Sequence, residues 1–392
     1  MQLNSSNYHA VSLLVVILFS SIVLSNNGNY FGKGDNIYNE NDFFNLKFLQ
    51  NSYSIEEDDD EDNGDDDGSE NEDSESTNKK DKSIFNFVAV GDWDCTGETE
   101  DTVENIIDQD PELVLALGDL SYNGDAGCWL ELIEPIADKT KIAIGNHEMD
   151  SDDLTEDYMN YFGLKEQFYS FNHKNMHFLA LSTETDYDDE SEQYQFAVQD
   201  LEKYSKDPFI DWIIVFYHRH IYGSGSIEGD TDFRETYHPL FDKYKVDLAL
   251  QGHLHVYERT HPITFNEDDD DQPIVHNNNP SIYKTPNESS FLTTTSNNDN
   301  DGDNGIGVEG GKGQDSNPNT YKNPEGTVFV TVGTGGAHDM ILSSLEDYSA
   351  QGVDGAFGIL DVRLESDQET LTGTFVENGK KKAIMDEFQI KK

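Results

Sequence analysis

Cysteine is nearly missing from this chain: Cys95 and Cys128 are the only two in 392 residues. At most one disulfide can brace it, and the alternative is two free thiols. Positive charge is scarce as well, with Lys+Arg 25 against Asp+Glu 79 and a formal net charge of -54. A polyanion repels nucleic acid and anionic membrane surfaces, which argues against both as partners. Chemistry on an anionic substrate would therefore need positive charge brought in locally, and metal ions are the obvious source. Long hydrophobic runs are absent too. The nearest is Val11 to Leu24, broken only by serines, which is short for a membrane span and suits the h-region of a signal peptide. The preceding MQLNSSNYHA lacks the customary Lys or Arg. Residues 1–25 read as a signal peptide cleaved after Ser25, with an uncleaved N-terminal anchor as the competing reading. No stable membrane association is expected.

What is present falls into blocks. Residues 26–82 are rich in Asn, Ser and acids, and Glu56 to Glu75 alone holds fourteen carboxylates. Such a segment cannot bury enough apolar surface to offset its ordering entropy, so it reads as disordered. Its spacing fits no EF-hand loop, which favours a solvating tail over a calcium site. A second low-complexity block at about 266–323 reads as an insertion into a surface loop, because closure entropy rises only logarithmically with length. It carries a glycosylation sequon, Asn287-Glu288-Ser289.

The remaining material, within 83–392, alternates. Apolar strands are expected at Ile84–Val90, Leu113–Leu117, Lys141–Ile144, Trp212–Phe216 and Val246–Leu250. Helices are expected at Thr102–Asp108, Cys128–Ala137, Gln193–Tyr204 and Phe233–Tyr244. The runs Val328–Val332, Phe357–Leu364, Thr370–Val376 and Ala383–Ile390 read as a β meander. The alternation predicts an α/β sheet, with the terminal strands forming a second sheet packed on it.

Five of the strands end alike, in an apolar run, often a glycine, and then a side chain able to ligate a metal. Loops at the carboxyl ends of strands in an open α/β sheet converge on one crevice. Asp92, Asp119, Asn146, His218 and the pair His253 and His255 would then meet there. A lone Gly-Asp is commonly just a turn, and GHLH gains weight because alternate residues of an extended segment share a face. Two carboxylates, an amide oxygen and three imidazoles suit Zn, Mn or Fe and are too rich in nitrogen for calcium.

The ordered series GDWD (91–94), GDLSY (118–122), GNHE (145–148), VFYH (215–218) and GHLHVYER (252–259) resembles the calcineurin-like metallophosphoesterase signature in its purple acid phosphatase form. GTVFVTVGTGG (326–336) resembles that family's late strand and loop. The resemblance implies a four-layer α/β/β/α sandwich of two mixed sheets. It also implies that Asp92, Tyr122 and His255 hold an Fe(III), that Asn146, His218 and His253 hold a divalent Fe, Zn or Mn, and that Asp119 bridges them. The implied reaction is hydrolysis of small phosphate monoesters by a metal-bound hydroxide attacking phosphorus in line. Secretion, or residence in an acidic endomembrane lumen, goes with that activity.

Two departures stand out. Asp94 occupies a position where the family usually has Gly. The family's proton-donating His, nine or ten residues after the VxxH ligand, is replaced by Ile227 and Glu228. His147 is then the first choice for contacting phosphate, beside Asn146, and for protonating the leaving group. His220 and Glu228 are substitutes, His220 being equally an orienting residue, and Arg219 is a candidate phosphate contact. A phosphodiesterase or pyrophosphatase on the same centre is the alternative activity. A secreted acidic cation-binding protein with a decayed site is the alternative of another class.

Overall fold

The computed structural model describes residues 85–276, 319–342 and 344–392, all inside one unit, Thr77–Lys392. The expected signal segment, the acidic stretch 26–82 and the Asn287 sequon lie outside the described residues.

From Phe85 the chain alternates β1 (Phe85–Val90), α1 (Gly97–Gln109), β2 (Leu113–Ala116), α2 (Ala126–Leu132) and β3 (Thr140–Ile142). Thr96 caps α1 by accepting the Thr99 N–H at 3.3 Å, a standard use of a short hydroxyl at a helix start. The single helix expected over Cys128–Ala137 is interrupted instead. Pro135 lacks an N–H and clashes with the preceding turn, so α2 stops at Leu132 and a 3₁₀ segment, Glu134–Lys139, follows. Next come a 3₁₀ turn, Asn146–Asp150, then α3 (Asp152–Phe162), β4 (Tyr169–His173), β5 (Met176–Ala180) and α4 (Glu192–Tyr204). The chain continues as β6 (Trp212–Arg219), α5 (Thr231–Tyr244), β7 (Leu248–Gly252), β8 (Tyr257–Thr264) and β9 (Ile274–Val275). The remaining strands are β10 (Thr320–Lys322), β11 (Thr327–Val332), β12 (Ser349–Val353), β13 (Gly358–Leu364), β14 (Thr370–Glu377) and β15 (Ile384–Lys391).

Two mixed sheets result, in the orders β10-β15-β14-β13-β1-β2-β3 and β12-β8-β11-β7-β6-β5-β4. The terminal strands do not build the second sheet as expected. The meander β13–β14–β15 extends the first sheet by pairing antiparallel to β1, while β11 runs parallel to β7 in the second. Both flanks of the 266–323 block also enter the fold, through β9 on β8 and β10 on β15.

The central strands β6, β7 and β11 of the second sheet are mostly apolar because both faces are covered. Ile214, Phe216, Leu250 and Val330 point to the first sheet, where Phe178 meets Phe87 edge-on at 5.3 Å. Their neighbours Ile213, Val215, Tyr217, Ala249 and Phe329 point the other way, onto Leu201 of α4 and Phe233, Tyr237 and Phe241 of α5. On the first sheet, Val103 and Ile106 of α1 supply the outer layer. The layers are therefore α/β/β/α.

Candidate metal centre

The turns leaving β1, β2, β3 and β7, together with the last residues of β6, bring all seven expected donors to one place. Asp92, Asp119 and His253 sit in left-handed backbone (φ 59°, 49° and 67°), a strained conformation for residues with a Cβ. This backbone lets a side chain at a strand tip turn sideways into the crevice. Gly145 is needed because a Cβ there would lie 2.4 Å from both the N and the Oδ1 of Asp119.

The contacts form an unbroken chain. Tyr122 Oη lies 2.9 Å from His255 Nε2 and 3.2 Å from both Asp92 Oδ1 and Asp119 Oδ2. His255 Nε2 is 3.2 Å from Asp92 Oδ1, and His218 Nε2 is 3.2 Å from Asp119 Oδ2. His218 Nε2 is also 3.2 Å from Asn146 Oδ1 and 3.3 Å from His253 Nδ1. Asp92, Asp119, His218 and His255 are all buried.

Two of the imidazoles have their free nitrogen decided for them. His218 Nδ1 is 2.8 Å from the Leu117 carbonyl and His255 Nδ1 is 2.5 Å from the His338 carbonyl. Each Nδ1 must donate there, so that whenever the ring is neutral its Nε2 is a lone pair aimed into the cluster. The Tyr122 hydroxyl has one proton and faces three acceptors, so two close acceptor contacts go unpaid by any proton. A donor set this crowded with lone pairs fits cations. Asp119, His218 and His253 already lie close enough together to share one.

The electrostatics show the same tension. Burial, the largest effect, pushes Asp119 up, yet the His218 charge holds it well below the usual carboxylate range. Burial lowers His218, but Asp119 lifts it to about 10. His253 is pushed down to about 3, by burial first and by His218 second. Burial and then the charges of Asp92 and Asp119 drive the Tyr122 phenol far upward. Neighbouring cations would reverse that last effect by favouring phenolate.

The other expected residues are placed as follows. His147 is at the rim, one-third exposed, its ring 4.1 Å from that of Tyr122, its Nε2 3.9 Å from Asp119 Oδ2 and its Nδ1 3.4 Å from Asp150 Oδ2. His220 is fully buried behind His253, stacked at 5.8 Å with Nε2 3.2 Å from the Ile227 carbonyl. That position suits orienting His253 and corrects the expectation of proton transfer by His220. Arg219 is corrected too. Its guanidinium is paired, Nε and Nη2 donating to the two oxygens of Glu184 at 2.6 and 3.1 Å, so it is not the free cation the expectation assumed. Glu228 is exposed, without the burial its proposed role requires. Asp94 Oδ1 accepts the Cys95 N–H at 2.7 Å, so its carboxylate is used locally. Cys95 and Cys128 form a disulfide that ties the loop after β1 to α2.

Sequence reasoning missed Glu148, the last residue of GNHE. It is fully buried, and it accepts the N–H groups of Asp119 (2.9 Å), Leu120 (2.7 Å) and Gly145 (2.8 Å). One carboxylate thereby locks together the turns that carry Asp119 and Asn146. Burial, above all, and the Asp119 charge push it up to about 8, against the pull of the Gly145 and Leu120 amides. Its place inside a motif was the only signal.

Comparison with known proteins agrees with this geometry. Residues 85–257 match the calcineurin-like phosphoesterase family model. Purple acid phosphatase 22 of Arabidopsis thaliana is 32% identical over 209 residues, 48% of this chain and 48% of its own length. A probable inactive purple acid phosphatase 24 from the same plant is 30% identical over 220 residues, covering 46% and 36%. The chain thus spans about half or less of the length of these curated relatives. A purple acid phosphatase from yellow lupin (Lupinus luteus) seeds shares the fold with TM-score 0.60 and 23% identity, over 79% of this chain and 54% of that one. The folded region of this chain is thus similar, in sequence over residues 85–257 and in fold, to metallophosphoesterase domains of the purple acid phosphatase type.

Proposed function

We propose that this chain is an acid phosphatase that hydrolyses small phosphate monoesters at a two-cation centre, in an oxidising compartment outside the cytosol. The observation that carries the reading is the Tyr122 hydroxyl set against three acceptors beside Asp119, His218 and His253. A decayed site would have no reason to keep so costly a cluster of lone pairs. Asp92, Tyr122 and His255 would hold one ion, Fe(III), and Asn146, His218 and His253 a second, divalent Fe, Zn or Mn, with Asp119 between them. Phenolate at Tyr122 is the hard donor that favours the trivalent ion. Bound cations supply the charge that draws in a phosphoryl group and that makes hydroxide available below neutrality.

The chain's own residues do the rest. Asp119 stays ionised, and Glu148 fixes its turn against that of Asn146. The Leu117 and His338 carbonyls keep His218 and His255 in the tautomer that faces the centre. His147, partly exposed over Tyr122, is the imidazole placed to contact a bound phosphoryl group. Location outside the cytosol is supported by the Cys95–Cys128 disulfide, a bond that persists in oxidising compartments, and by the apolar run Val11 to Leu24.

The test is metal content with a visible spectrum on purified protein, beside turnover of p-nitrophenyl phosphate and of its bis ester. Two bound metals, an absorption band abolished by Tyr122→Phe and a preference for the monoester are expected. A metal-free protein would sink the enzymatic reading, and a strong preference for the diester would move the activity to phosphodiesters.

A further inference from the structure

The loop after β11 carries a side chain that this reading leaves unused. Residues 333–340 (GTGGAHDM) are stitched to the Asp92 side of the centre by backbone bonds. Gly335 N–H donates to the Gly91 carbonyl at 2.9 Å, Ala337 N–H to the Asp92 carbonyl at 2.9 Å, and Met340 N–H to the His255 carbonyl at 3.1 Å. The His255 ring in turn donates to the His338 carbonyl at 2.5 Å. The loop enters with no space to spare, since a Cβ on Gly333 would lie 2.2 Å from the Leu254 carbonyl oxygen and 2.8 Å from Asp92 Oδ2. Residue 338 is thus fixed relative to Asp92 and His255 on both of its sides.

Its side chain is exposed, yet the ring centroid lies 4.9 Å from that of His255, at 69°. On the far side His147 lies 4.1 Å from Tyr122, and Tyr122 lies 5.9 Å from His255. Four rings run in a row: His147, Tyr122, His255, His338. The inner two aim donor atoms at the cluster, and the outer two are the imidazoles open to solvent. Near the crevice, Arg219 is already paired with Glu184, and His220 is buried with its Nε2 on the Ile227 carbonyl.

We infer that His338 is a substrate-contacting residue, donating an N–H to a bound phosphate monoester from the His255 side of the centre, opposite His147. The inference rests on the phosphate-ester reading above. A neutral imidazole keeps one N–H, so the contact does not depend on the charge of the ring. Hydrogen bonds to charged oxygens are among the stronger ones, and losing one weakens binding by roughly ten- to a hundred-fold.

The experiment compares wild type, His338→Phe and His338→Asn for three quantities: metal content, binding of inorganic phosphate by calorimetry, and KM against kcat on p-nitrophenyl phosphate. Phe keeps a ring against His255 and lacks the donor, whereas Asn restores an N–H. The expected result is full metal content in all three proteins. In the Phe variant phosphate affinity should fall and KM rise by roughly ten-fold or more, with partial recovery in the Asn variant. Unchanged phosphate affinity in His338→Phe overturns the inference, as does loss of metal from that variant, which would mean His338 only supports His255. A wild-type protein that binds metal but not phosphate overturns the monoester reading itself, and with it this one.

Discussion

Glu148 shows how a residue remote from any substrate can govern a metal site. Its Oε2 accepts two N–H groups, from Asp119 and Gly145, and its Oε1 accepts a third from Leu120. Glutamine cannot replace it, because an amide must turn an NH2 toward at least one of those N–H donors. The expected consequence of Glu148→Gln is a shifted Asp119 turn and metal affinity weakened roughly ten- to a hundred-fold, the scale on which groups that orient metal ligands act. Competition with a chelator, read by metal analysis, measures this directly. An affinity equal to wild type would show that the Asp119 turn holds itself in place. Nothing in the local sequence announces this role, since the three amides come from two different turns and meet only in the folded chain. The donors themselves were legible because an apolar strand ending in a ligating side chain, preceded by a glycine at Asp92, Asp119, Asn146 and His253 though not at His218, is a local pattern that recurs at five strand ends.

Among elements, β8 shows what burial of charge does between sheets. Arg259 is fully buried, and its Nε and Nη2 donate to Asp386 of β15 at 2.6 and 3.1 Å. Tyr257 Oη adds a third bond to the same carboxylate at 2.7 Å, while Arg259 Nη1 donates to the Tyr321 hydroxyl at 2.6 Å. Because β8 and β15 belong to different sheets, this group clamps the sandwich. Asp386→Ala would strand a buried guanidinium, and unfolding by denaturant should show a loss of about 3–5 kcal/mol. A loss under about 1 kcal/mol would mean that solvent reaches Arg259 in the variant. The same contacts explain why Tyr257–Thr264 was hard to read as a strand. YERTHPIT lacks apolar alternation, since its buried charge is matched by a residue 127 positions away. The central strand Trp212–Arg219 was easy, being apolar on two covered faces. Tyr169–His173, a half-buried strand at the sheet edge, carries little apolar signal and was missed. The meander was read correctly as strands and assigned to the wrong sheet, because sequence pattern fixes which face of a strand is apolar and not which strand lies beside it.

For the whole molecule, the question is how a chain of formal net charge -54 collects an anionic substrate. The Arg at the edge of the crevice is neutralised by Glu184, so attraction has to come from the bound cations at short range. The far field of the protein works against it. Screening should separate the two, because the Debye length shrinks from about 30 Å at 0.01 M salt to about 8 Å at 0.15 M. Long-range repulsion fades over that interval, while contacts inside the crevice, only a few ångströms long, keep most of their strength. The second-order rate constant kcat/KM for a dianionic monoester should therefore rise several-fold as an inert salt is added across that range, with kcat nearly level. A monoanionic diester, carrying half the charge, should respond about half as steeply on a logarithmic scale. Stopped-time assays at constant pH with a non-coordinating salt such as sodium perchlorate make the comparison. A falling kcat/KM would mean that the path to the crevice is electropositive despite the total, placing the acidic charge too far from the site to act on the incoming ester.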